Sequence, residues 1–248
     1  MAMDDRQRPH FELTAAVPDV ETLVVGFTEY GLAGLTAVDY LTDQLPLSEV
    51  GYLDDSGPPT ITPFDEGTPR HHTRVYASGP LSLAVVVAER FVPLQSTGSI
   101  ADAIEDLCAA VSPSNLTVLS GVPVAHGPED HVPFYIATED YQERFLADTS
   151  IAPMGTGFVD GVTADLLARG IDDDERPVGV FTTPAHPQAP DAEAAIRLLD
   201  ALSRTHGIDI DTEPLAAFAA TVEAQYRALA ERIDAADEDA TPDDRMYM

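Results

Sequence analysis

Thr-Leu-Val-Val-Gly-Phe-Thr-Glu-Tyr-Gly-Leu-Ala-Gly-Leu-Thr-Ala-Val-Asp-Tyr-Leu, residues 22–41, is the stretch on which the reading of the chain turns. Leu23-Val24-Val25 is short, apolar and β-branched, and it ends at Gly26, as a strand buried on both faces of a parallel sheet does. Gly31 and Gly34 follow in a turn, and a helix rich in small residues is expected from about Leu32 to Leu41. Glycine at these points lets the chain reverse sharply and lets the helix approach the sheet closely. A first βα unit of this kind implies further strands alternating with helices.

The rest of the sequence supplies them. Strands are expected at Val50–Leu53, Arg74–Ala77, Leu81–Phe91, Leu116–Leu119, Val132–Ala137 and Val178–Thr182. The Pro-, Gly- and Asp-rich segment Asp54–Thr73 reads as an excursion or small hairpin. Ser99 is placed to cap a helix running through Val111, with Asp102 in its first turn. A short helix is expected over Glu139–Asp148. A second glycine-rich turn, Pro153–Gly161, leads into an apolar helix through Leu167. Two helices close the folded part. The first runs from about Asp191, its cap, to Thr205. The second begins near Pro214 and carries a stripe of Leu215, Phe218, Val222, Tyr226, Leu229 and Ile233. The expected fold class is α/β, three layers with a mostly parallel sheet. The expected organisation is a loose segment 1–9, one α/β domain over 10–233, and an acidic tail over 234–248.

Charge sets the chain apart. It has 43 acidic residues against 13 basic ones, a formal net charge of -30, and every basic residue is Arg. The acidity runs through the helices as well as the tail, so self-repulsion is severe in dilute buffer. It is screened at 1 M salt, where the Debye length is about 3 Å. The composition reads as adaptation to a salt-rich cytoplasm, as in halophilic archaea. With no basic stretch, nucleic-acid and anionic-membrane binding are not expected. No run approaches a membrane span and the polar N-terminus does not read as a signal peptide, so a cytoplasmic location is expected. The single cysteine, Cys108, lies in the apolar helical pattern of Ile100, Ile104, Leu107 and Val111 and reads as a packed core thiol.

Candidate chemistry is sparse. A glycine-rich turn after a strand invites a nucleotide-binding reading, but Gly26, Gly31 and Gly34 do not follow Gly-x-Gly-x-x-Gly spacing. Glu29 would repel the anion. No Arg lies between Arg8 and Arg70. His71-His72 and the group His126, Glu129, Asp130 and His131 lie in loops without ligand spacing, so no metal and no cofactor are expected. The tail ends in Met246-Tyr247-Met248 after a solvated, Pro-interrupted stretch. A hydrophobic residue, a tyrosine, one more residue and a carboxylate make a compact docking peptide. The apolar groups fill a groove, the phenol finds an acceptor and the carboxylate finds a cation.

The turn Gly26–Gly34 followed by Ala37–Leu41, the motif Met154–Gly161, and the helix pair after Pro184–Pro190 together resemble the archaeal proteasome-assembly-chaperone family, over about residues 12–233. The Trp frequent after the family's first glycine is Phe27 here. The resemblance implies an α/β/α fold similar to the nucleoside phosphorylases without their catalytic function, and formation of homo-oligomers. It also implies a hydrophobic–Tyr–any-residue tail that inserts between α subunits of the proteasome core particle. On that reading Met246, Tyr247 and Met248 are the partner-binding residues, and the protein is an ATP-independent, non-enzymatic chaperone or adaptor. The alternative is a phosphorylase-like enzyme acting on nucleosides, with Arg74, Arg90 and Asp160 as its loose candidates.

Overall fold

A computed structural model of the protein describes residues 8–54, 61–124, 127, 130–172, 176–186, 190–222 and 224. The chain divides into two compact units, 1–211 and 212–248. Residue 233, His126, Glu129 and the tail with Met246, Tyr247 and Met248 lie outside the described residues.

The first unit is built on a nine-stranded sheet. Its strands are β1 (His10–Leu13), β2 (Thr22–Phe27), β3 (Ser48–Asp54), β6 (Thr73–Ser78), β7 (Leu83–Ala88), β8 (Asn115–Val122), β9 (Phe134–Ala137), β10 (Ala152–Pro153) and β11 (Val178–Pro184). The strand order is β1-β3-β6-β7-β2-β8-β11-β9-β10. The segment expected as an excursion carries a small separate hairpin, β4 (Phe64–Asp65) with β5 (Thr68–Pro69). The four central strands β7, β2, β8 and β11 are parallel. On the flanks, β6 runs antiparallel to β7, β3 to β6, β1 to β3 and β9 to β11. Only four residues join β6 to β7, too few for the crossover that a parallel pair requires.

β2 lies at the centre with all six residues buried. Helices α1 (Ala33–Gln44) and α5 (Ala192–His206) pack together on one face of the sheet. α2 (Thr97–Val111) and α4 (Gly161–Asp172) pack together on the other. Leu23, Val25 and Phe27 of β2 join Ile104, Leu107, Cys108 and Leu166 in the core under α2 and α4. The alternate residues Val24 and Gly26 turn toward α1, as the period of two in a strand requires. Cys108 is fully buried, and burial pushes its thiol up to about 12, which leaves it an inert core residue, as expected.

The close approach of α1 has a specific cause. A β-carbon on Gly34 would stand 1.9 Å from the Leu119 carbonyl oxygen of β8, and one on Gly26 would stand 2.4 Å from the Gly34 carbonyl oxygen. Gly31 has a positive φ of 66° in the short 3-10 turn Tyr30–Leu32 that precedes α1. The glycines of the first turn therefore serve packing and chain reversal.

Other elements match or shift the expectations. Asp191 caps α5, its Oδ1 accepting from the Ala194 N–H at 2.9 Å. α2 begins at Thr97 after a 3-10 turn, Leu94–Ser96, so Ser99 lies inside the helix and is not its cap. Asp102 consequently falls beyond the first turn, where it pairs with Arg169 of α4 at 2.7 Å. The short helix expected over Glu139–Asp148 is α3 (Glu139–Tyr141), continued by a π-turn, Gln142–Leu146.

The second unit contains a helix over 213–222, in the stretch where the apolar stripe was expected. Phe218 is exposed on it.

Candidate functional site

β2 and β8 are neighbours, yet the chain leaves β2 toward β3, β6 and β7 on one side and leaves β8 toward β11 on the other. The crevice beyond the carboxyl ends of such a strand pair is where open α/β sheets bind ligands. A groove of about 510 Å³ lies there. Its base is formed by Phe27–Tyr30 after β2 and Ser120–Pro123 at the end of β8, and its walls by Val92, Leu94, Met154 and Val159. Phe91 and Phe158 stand at its rim.

Glu29 organises the polar part. Ser120 donates its hydroxyl to Glu29 Oε2 at 2.7 Å, and Thr163, in the first turn of α4, donates to Oε1 at 3.0 Å. The carboxylate therefore ties the turn after β2 to the end of β8 and to the start of α4, at the positive end of that helix. Burial pushes the Glu29 carboxyl upward; the two hydroxyl bonds oppose the shift and the neighbouring Asp160 adds to it. Asp160 also lines the groove, and no Arg or His does among the described residues.

That composition bears on the phosphorylase-like candidates. Arg74 is fully buried, with Nη1 donating to Glu89 Oε2 at 2.6 Å and Nε donating to the Tyr76 hydroxyl at 2.8 Å. Arg70 reaches the other oxygen of Glu89 at 3.3 Å. Arg74 is thus committed to an ion pair inside the fold and does not line the groove. Arg90 does not line it either, and of the three candidates only Asp160 reaches the groove. Among the described lining residues a phosphate would meet two carboxylates and no cationic side chain.

The described histidines of these two sets are held by other contacts. His71 stacks on Tyr52 with ring centroids 3.5 Å apart, and His72 is buried with its Nδ1 3.0 Å from the Thr73 hydroxyl. His131 meets His186 edge to face. Among the described residues, no group of three or more His, Cys, Asp or Glu is arranged to hold a metal ion.

A second polar cluster lies at the opposite, amino-terminal end of the strands. His206 Nε2 is 2.9 Å from the Tyr141 hydroxyl and 3.2 Å from the Thr117 hydroxyl, and Thr117 also donates to Asn115 Oδ1 at 3.1 Å. Burial lowers the His206 pKa to about 4, so the imidazole is neutral in the folded chain. Unfolding releases it to an ordinary value near 6.5, so the unfolded state binds more protons between those limits. The stability that neutral His206 contributes is present above about pH 6.5 and is lost as pH falls toward 4, about 3 kcal/mol in all. Glu29 and Asp39, whose carboxyls are raised by burial, shift stability the opposite way, so the comparison requires a variant. Thermal unfolding from pH 7 to 4.5 should show a steeper loss in the wild-type chain than in His206→Gln; equal slopes would mean that His206 is not held neutral.

This geometry has counterparts among known proteins. The model of the PAC2 family matches residues 23–230. No curated protein matches the sequence. Among solved structures, Pyrococcus furiosus PbaA, described as an archaeal homolog of proteasome-assembly chaperone, superposes with a TM-score of 0.82 at 21% identity, covering 93% of this chain and 95% of that one. P. furiosus PbaB, described as an archaeal proteasome activator, gives a TM-score of 0.74 at 18% identity, covering 90% and 99%. A PAC2 family protein from Streptomyces avermitilis gives 0.62 at 16% identity, covering 85% and 96%. These likenesses establish a shared α/β fold over most of the chain.

Proposed function

The chain belongs to the PAC2 family, and from that premise we propose that it is a non-enzymatic assembly chaperone or adaptor of the proteasome core particle. The family match over residues 23–230 is the observation that carries the proposal. The two Pyrococcus relatives support it from two sides, one described as a homolog of an assembly chaperone and the other as a proteasome activator. The groove, acidic and without a cation among its described lining residues, favours a binding role over phosphorolysis.

Contact with α subunits is assigned to Met246, Tyr247 and Met248. In this reading residues 234–245 are a tether of roughly 40 Å when extended, and the last three residues fill a pocket between neighbouring α subunits. Such a peptide is weak by itself. A homo-oligomer carrying several copies engages several pockets at once, and the linked events multiply. No nucleotide is needed for this action. Immobilised full-length chain should capture core-particle α subunits in molar KCl, and absence of capture would contradict the proposal.

The acid excess belongs to the same reading, since a partner from the same cytoplasm works at the same ionic strength. With a net charge of -30, the denaturant midpoint should fall steeply as KCl is lowered from molar to millimolar. A midpoint that does not move with salt would remove the adaptation to a salt-rich cytoplasm from the account.

A further inference from the structure

The groove at the carboxyl ends of β2 and β8 combines an uncovered apolar rim with an acidic floor. Phe158, Leu94 and Phe91 are 97%, 69% and 67% exposed, and they stand at one groove. Large apolar side chains clustered in this way mark a surface that another molecule covers. Beneath them Glu29 accepts hydrogen bonds from Ser120 and Thr163, which leaves part of its acceptor capacity unused. Neither Glu29 nor Asp160 forms an ion pair among the described residues. A partly desolvated carboxylate is stabilised most by a cation that brings its own hydrogen-bond donors.

The occupant is also bounded by shape. A second hollow of about 440 Å³, lined by Tyr135, Pro153, Leu167 and Ile171, adjoins the first and shares Met154 and Phe158 with it. Two hollows that share one exposed phenylalanine suit an extended segment with more than one anchor, which a small cation does not supply. Arginine fits the floor better than lysine. Its planar guanidinium forks a carboxylate, is weakly hydrated and stacks on aromatic faces.

We propose that this groove docks a segment of a partner protein that presents an arginine flanked by apolar side chains. The guanidinium lies against Glu29 and Asp160, and the flanking groups cover Phe91, Leu94 and Phe158. The proposal uses none of Met246–Met248 and stands whether or not those residues bind α subunits.

The test is titration of the full-length chain, in molar KCl, with the peptide acetyl-Leu-Arg-Phe-Leu-amide and with its citrulline counterpart, which keeps the shape and removes the charge. The arginine peptide should bind at least about tenfold more tightly than the citrulline peptide. Glu29→Gln should remove that preference, and Phe158→Ala should weaken both peptides several-fold. Because Phe158 is almost wholly exposed, its replacement leaves the core intact and keeps the test informative if Glu29→Gln fails to fold. Equal binding of the two peptides, or no binding of either, would overturn the proposal. Arginine amide alone binding as tightly as the peptide would assign the groove to a small cation. Self-association lost in Phe158→Ala, without peptide binding, would assign it to a second copy of the chain. Either result would also overturn it.

Discussion

Replacing Gly34 by alanine should destabilise the domain by about 3 kcal/mol or more, the upper end of what overpacking costs. The added β-carbon would meet the Leu119 carbonyl oxygen at 1.9 Å and the Leu119 carbonyl carbon at 2.7 Å. Both are backbone atoms of β8, in the middle of the sheet, so no side chain can swing away to relieve the contact. Relief requires α1 to withdraw from β2 and β8, and at Gly26 the same interface is already at backbone contact with Gly34. A loss of this size is a large fraction of the stability of a typical domain. Gly98 is the control, because a β-carbon there meets nothing within 4 Å and the residue lies in α2. Gly98→Ala should be neutral or stabilising by up to about 1 kcal/mol. Chemical denaturation of both variants in molar KCl decides the matter. A Gly34→Ala chain as stable as wild type would mean that α1 does not sit on the sheet as described, and would reopen the phosphate-turn reading of residues 26–34.

That prediction draws on the part of the fold most legible in the sequence. Leu23-Val24-Val25 has no polar residue to turn outward, so it had to lie inside a sheet, and β2 is its centre. Asp191 was legible as a cap because an acceptor three residues before a free N–H has an evident use there. Ser99 misled for the same reason. It has the chemistry of a cap, but Pro93 opens a 3-10 turn that starts the helical path earlier. Of the antiparallel pairs only β6–β7 was legible, through its four-residue connection, since apolar patterning does not encode strand direction.

The groove was much less legible. Glu29 read only as an obstacle to phosphate, because its partners Ser120 and Thr163 lie 91 and 134 residues away and folding alone brings them together. Phe158 sits in a glycine-rich turn whose exposure no periodicity reveals. Arg74 looked available for an anion because Glu89, its half-buried partner, lies on the far side of a hairpin. The tail is the opposite case. Met246, Tyr247 and Met248 are legible as residue chemistry and stand in the account on that chemistry.

Removing Met246–Met248 should have the largest functional effect of any change considered. On the proposed docking, deletion removes the Met side chain, the phenol ring and the carboxylate, and with them every contact of the tail, at once. In the proposed oligomer with several tails, the loss would be compounded by the loss of linkage, a factor on the order of 10² or more in apparent affinity. Extending the chain by one residue after Met248 displaces the carboxylate and should weaken capture nearly as much, with the side chains unchanged. The folded domain should be unaffected in both cases, since the 23–230 family region is intact.

The most direct measurement is therefore capture of core-particle α subunits in molar KCl by the full-length chain and by a chain ending at Arg245, side by side. The account predicts capture by the first and near-complete loss in the second, with identical unfolding curves. Equal capture by both would contradict docking through Met246–Tyr247–Met248, and capture by neither would contradict the proteasome role itself.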